Sequence, residues 1–231
     1  MHQTSAFLTA VLILLLAWPA GGQSDSAKLE AAFRFQDGVY LSLESLRQNQ
    51  PDYRWQDIQG QLAANAEYYR AQAEYLSVKG SRDTLACGRV WGIVLDGLPY
   101  ICLAHKASQG QNMRFAGLRV RGRISYYEYE RKEQRLVEIT AYNPLTGRPF
   151  RRGNITKKET VAEARILHLP SGKMGPLDRP TLLQMIQDDR QLYRTVDELP
   201  ENASVEKLYK CVLIYDDRNP MFLPVPSKKK N

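Results

Sequence analysis

Asp96-Gly97, set between the apolar runs Val90–Leu95 and Leu98–Leu103, constrains this chain most. Two residues that accept positive φ, flanked by apolar runs, are the strongest short-range signal of a β-hairpin, because a type I′ turn matches the twist of its strands. Such a turn sets Leu95 opposite Leu98. Trp91 then faces Cys102, and Cys87 faces Lys106, so no Cys87–Cys102 bridge is expected. From Arg89 onward the apolar period moves toward two. Phe115–Glu130 alternates, with Leu118, Val120, Ile124 and Tyr126 on one face and Arg119, Arg121, Arg123 and Tyr127 on the other. Leu136–Tyr142 reads as a strand closed by the turn Asn143-Pro144-Leu145-Thr146-Gly147. Ala162–Leu169 reads as another, closed by Pro170-Ser171-Gly172. About six such strands predict an antiparallel β-meander or partly closed barrel.

The flanks add helices, which makes the expected class α+β. An N-terminal strand–helix element is predicted from Val39-Tyr40-Leu41 and the helical turns of Ser42–Gln48, ended by Pro51-Asp52. The stretch 58–78 reads two ways. Ile58, Leu62, Ala66, Tyr69, Ala73 and Leu76 fit a helical stripe, while Tyr68, Arg70 and Tyr75–Val78 suit strands. The expectation is helix over 56–74 and strand over 74–79. Two C-terminal helices follow. The first has capping-box spacing at Thr181 and Gln184 and the stripe Leu182, Met185, Ile186, Tyr193, Val196. The second carries Val205, Leu208, Val212 and Tyr215, and Asn219-Pro220 stops it.

Residues 1–22 read as a secretory signal peptide. The apolar run Ala6–Trp18 is about 13 residues long, within the roughly 7–15 of a signal core and short of the roughly 20 that span a bilayer. Pro19 breaks it, and Ala20-Gly21-Gly22 offers small residues for cleavage after Gly22. The segment before the core carries no Lys or Arg. Residues 23–32 are expected to be a flexible spacer, 33–224 one globular domain and 225–231 a basic disordered tail. A periplasmic or extracellular location follows from the signal. The remaining cysteines, Cys87, Cys102 and Cys211, are odd in number and suit small buried residues.

The net charge of +7 is uneven. Residues 114–158 hold twelve Lys or Arg against four Glu, a net of +8, and the rest of the chain is close to neutral. Lys228-Lys229-Lys230 forms a separate basic tail.

Four pieces occur in order: Asp37-Gly38-Val39-Tyr40-Leu41-Ser42; Trp91-Gly92 with Asp96-Gly97-Leu98-Pro99-Tyr100-Ile101; Asp188-Asp189 before Leu192-Tyr193; and Tyr215-Asp216-Asp217-Arg218-Asn219-Pro220. In this order the chain resembles a family of uncharacterised, signal-peptide-bearing envelope or secreted proteins of the Bacteroidota. The resemblance implies an envelope setting and a single domain. It carries no established activity and no catalytic residues.

Chemistry-bearing motifs are sparse. His105 and His168 are the only bases for a nucleophile after export, and no Gly-x-Ser-x-Gly elbow accompanies them. Metal binding needs converging ligands at fixed spacing, and Asp188-Asp189 and Asp216-Asp217 are adjacent pairs on expected helices, poorly placed to chelate. Ser171-Gly172-Lys173 lacks the upstream glycine of a phosphate loop. No cofactor or metal is expected, and no catalytic residue is assigned. The surface that stands out is the arginine strand. Arg119, Arg121 and Arg123 would project together roughly 6.5–7 Å apart, with Tyr127, Tyr129 and Tyr142 as flat neighbours. Arginine pairs bidentately with carboxylate or phosphate. The plainer reading of the same residues is the water-facing side of an amphipathic strand. The functional expectation is an exported, non-catalytic binding or interaction module. Its ligand would be an acidic glycan, anionic lipid or acidic protein, with nucleic acid not expected. The alternatives are a hydrolase whose site only the fold assembles, with His105 or His168 as base, and a structural or assembly partner.

Overall fold

A computed structural model describes residues 26–81, 84–86, 88–103, 112–119 and 122–225. The expected signal peptide and the Lys tail lie outside these residues, as do Cys87, His105 and Arg121. The architecture is α+β, built on antiparallel sheets with a curled half-barrel. Strand β1 is Ser26–Lys28, followed by β2 (Gly38–Tyr40), helix α1 (Leu43–Arg47), β3 (Ile58–Asn65) and β4 (Arg70–Val78). Next come β5 (Gly92–Leu95), β6 (Leu98–Cys102), β7 (Met113–Gly117), β8 (Ile124–Tyr142), β9 (Pro149–His168) and β10 (Lys173–Pro176). Helices α2 (Arg179–Met185), α3 (Arg190–Asp197) and α4 (Val205–Arg218) precede the last strand, β11 (Phe222–Pro224).

The half-barrel is the sheet β2-β5-β6-β7-β4-β3. Its β5–β6 hairpin has the register anticipated from Asp96-Gly97, with Leu95 opposite Leu98. Both turn residues take positive φ, 51° and 72°, as a type I′ turn requires. Asp37 Oδ1 accepts from the Gly97 amide at 2.8 Å and ties this turn to β2. The expected spacer begins to pair at Ser26. Strand β1 joins β11 with Ala27 opposite Leu223, and Leu29 is buried.

The helix expected over 56–74 is absent. Ile58–Asn65 and Arg70–Val78 form a β-hairpin, with Tyr69 in the left-handed region at φ 52°. The cause of the false helical period is a bulge. Gln61 pairs with Tyr75 but Leu62 pairs with Ala73, leaving Glu74 extra. One extra residue swaps the faces of a strand. Buried Ala71 and Ala73 are therefore followed by buried Leu76, a spacing of three.

The expected single strand Phe115–Glu130 is also divided. The chain leaves the half-barrel after Gly117 and enters a second sheet, β10-β9-β8, at Ile124. The base of β8–β9 is the middle layer of the molecule. Tyr127 and Leu167 pack toward the half-barrel with Tyr40, Val94, Ile101 and Leu118. Ile124, Tyr126 and Ile166 pack against Leu182, Ile186, Val196, Leu208, Val212 and Tyr215 of the helices. The first expected C-terminal helical segment consists of two helices, α2 and α3, each opened by an aspartate. Asp178 accepts from the Thr181 amide and Asp189 from the Leu192 amide. The cap of α2 is thus Asp178, three residues before the expected Thr181. Replacing Asp178 with Ala should cost about 1 kcal/mol, the usual worth of such a cap, read as a lowered urea midpoint with unchanged slope.

Candidate functional site

Division of the 115–130 segment dismantles the expected arginine face. Arg119 and Arg123 lie in the connection between β7 and β8, and each meets its own acid. Arg119 pairs with Glu128 at 3.0 Å and stacks over the Tyr69 ring at 5.5 Å. Arg123 pairs with Asp188 at 3.2 Å. Tyr127 is buried, its hydroxyl 3.8 Å from the Met174 sulfur. Of the expected tyrosines, Tyr129 is half-buried and Tyr142 exposed.

The connection is held by a buried carboxyl. Asp216 Oδ1 accepts from the Ile124 amide at 2.8 Å, and Oδ2 is buried with no donor facing it. A methyl group at Gly122 would overlap this carboxyl, so only glycine lets the loop sit against it. Burial raises the Asp216 carboxyl to about 7, against the opposing pull of two backbone amides and Arg123. Asp188 also accepts from the Tyr215 hydroxyl at 2.8 Å, and Arg218 reaches Asp189 at 3.6 Å. One acid of each pair, Asp188 and Asp216, therefore ties a helical segment to the β8 entry, while Asp189 joins α3 to α4. Among the described residues, no group of three or more His, Cys, Asp or Glu is placed to hold a metal.

His168 bonds Ser171 Oγ through Nδ1 at 2.8 Å, and its Nε2 is buried without a partner. Burial and the neighbouring Arg123 lower its basicity. Ser171 is the β9–β10 turn residue, and it also accepts from the Lys173 amide at 3.3 Å.

Tyr129 lies between two adjoining cavities of about 350 and 320 Å³ that share Leu103 as a further wall. Three rim cations there meet acids. Arg70 meets Glu130 at 2.8 Å, and Arg131 and Arg165 both meet Glu163, at 3.2 and 2.8 Å.

The basic excess lies instead on an arm. Beyond Glu130, β8 and β9 continue as a two-stranded ribbon, paired from Arg131–Val161 out to Tyr142–Pro149. Twelve residues at strand rise give a reach of roughly 40 Å. Residues 131–161 hold eight Lys or Arg against three Glu, a net of +5. The arm also exposes apolar side chains: Leu136 at 71%, Ile139 at 44%, Ile155 at 46% and Leu145, in the tip turn, at 93%. Sequence reading finds the arm's outgoing strand, Leu136–Tyr142, and its Asn143–Gly147 turn, but misses the return strand, because 148–158 has Phe150 and Ile155 as its only large apolar residues and no alternation.

Against known protein families, curated proteins and solved structures, the chain matches none.

Proposed function

We propose that this chain is an exported, non-catalytic interaction module of the cell envelope that reaches an anionic surface with the β8–β9 arm. The observation that carries this reading is the arm itself. An isolated two-stranded ribbon is marginal in water. Open strand edges and exposed apolar residues are features proteins usually cover. Here they coincide with the net +5 of residues 131–161. Edge lysines and arginines also discourage strand-on-strand aggregation, which fits a ribbon kept single until it meets an oppositely charged partner. The export signal supports the envelope setting. Among the described residues, no helix is long and apolar enough to cross a membrane. The hydrolase alternative gains no support from His168, whose two ring nitrogens are taken by a turn serine and by burial.

Retention on a polyanion matrix tests the reading. The variant Arg135→Gln, Arg151→Gln, Arg152→Gln is expected to elute at clearly lower salt than wild type, because exposed charge contributes little to folding and its interactions are screened by salt. Arg119→Gln is expected to elute as wild type, since Glu128 already neutralises it. The tail variant Lys228→Gln, Lys229→Gln, Lys230→Gln separates the arm from the tail. An arm variant that elutes with wild type would overturn the reading.

A further inference from the structure

We infer that the face of the arm continuing the half-barrel side of β8–β9 is a shallow insertion surface for an anionic lipid bilayer. The inference rests on the reading of the arm as an anion-seeking element and names its partner.

Register divides the ribbon into two unlike faces. Residues directly opposite in antiparallel strands share a face, and alternate residues share it along a strand. Tyr127 of the base packs toward the half-barrel. The same face continues through Arg135 opposite Lys157, Val137 opposite Ile155, Ile139 opposite Gly153 and Ala141 opposite Arg151. Nearer the body the face carries Arg131 opposite Val161 and Glu133 opposite Glu159, and Glu159 pairs with Lys157 at 2.7 Å. Beyond that ion pair it is an apolar row flanked by Arg135 and Arg151. The other face runs Gln134–Lys158, Leu136–Thr156, Glu138–Asn154 and Thr140–Arg152, polar except for Leu136. Gly153 leaves Ile139 uncovered, with open space where its own side chain would stand.

Three properties select a lipid surface. First, a two-stranded ribbon has no walls, so its apolar row is open, and a bilayer needs no matching groove. Second, Arg135 and Arg151 have long apolar stems. They can keep their charges at phosphate level while Val137, Ile139 and Ile155 enter the acyl boundary. Exposed Tyr142 and Leu145 at the tip suit the same boundary. Third, stacking this face on a second copy would bring two sets of these cations together, which disfavours self-pairing. The ribbon does not enter the hydrocarbon core. Each strand has one edge with unpaired backbone groups, and these must stay hydrated.

Vesicle sedimentation of the protein recovered after export provides the test. Wild type is expected to sediment with vesicles containing phosphatidylglycerol, to stay free of pure phosphatidylcholine vesicles, and to be released by salt. The apolar variant Val137→Ser, Ile139→Ser, Ile155→Ser keeps every charge. It is expected to lose about tenfold or more in vesicle affinity while eluting from the polyanion matrix with wild type, since lipid binding needs both apolar and electrostatic terms. Ile139→Trp should show a blue-shifted emission on anionic vesicles only. Circular dichroism of each variant confirms an intact body. If wild type is retained by the polyanion but ignores anionic vesicles, or the apolar variant sediments with wild type, the lipid assignment falls and the anionic-partner reading stands. If wild type is retained by neither, both fall.

Discussion

Leu208→Asp is expected to lower stability by roughly 3–5 kcal/mol, enough to unfold a marginal domain at modest temperature. Leu208 is 2% exposed and packs in α4 with Val212 and Tyr215 against Ile124, Tyr126 and Ile166 of the β8–β9 base. The substitution removes a well-packed side chain and leaves a charge with no partner in an apolar layer. Lys207→Asp is the control. Lys207 is exposed, in the first turn of α4 behind the Ser204 cap, where an acid is favourable toward the helix dipole. Its effect should stay within about 0.5 kcal/mol. Thermal or urea melts compare the two, and equal midpoints would mean that Leu208 does not face the layer.

The second large effect is on pH dependence, through Asp216. Its folded-state value of about 7 lies well above the ordinary carboxylate range. Between about pH 4 and pH 7 the native state therefore holds a proton that the unfolded chain has released. Stability from this group is fully present below the unfolded value and is lost as pH rises through the folded one. The physical cause is the buried Oδ2, which meets no donor once it is charged. Asp216→Asn retains an acceptor for the Ile124 amide and cannot ionise. The variant should gain on wild type by on the order of 2 kcal/mol at pH 8 relative to pH 4. This is a discounted share of the roughly 1.4 kcal/mol that each tenfold change in proton affinity is worth. Urea midpoints of both proteins at the two pH values measure it. A difference independent of pH would place the proton elsewhere.

Local signals in this chain were legible where their cause was local. The Asp96-Gly97 turn needs only two residues with positive φ, and its register followed directly. The stripes Leu182–Ile186 and Leu208–Val212–Tyr215 were legible because a helix turns its buried face toward one layer. At Glu74 the pattern misled, since a single bulged residue converts a strand period into an apparent helical one. The arm was half legible. Its outgoing strand Leu136–Tyr142 and the turn after it were expected, and that strand forms the end of β8. The return strand was missed because residues 148–158 have Phe150 and Ile155 as their only large apolar residues, five apart, so no alternation marks them.

The candidate site shows where sequence reading stops. Composition alone established that the positive charge is concentrated in residues 114–158. The residue order beside that charge offered no local catalytic or metal motif to read. Whether any of those cations is presented to a partner depends on acids far along the chain. Asp188 reaches back to Arg123, and Asp216, bonded to an amide 92 residues away, holds the loop that takes Arg119 and Arg123 out of a common strand. Segregation of charge was thus determined by the sequence. Its presentation was decided only by the tertiary structure, because ion pairing and burial depend on distance in space, and packing of the helices onto the β8 entry sets those distances.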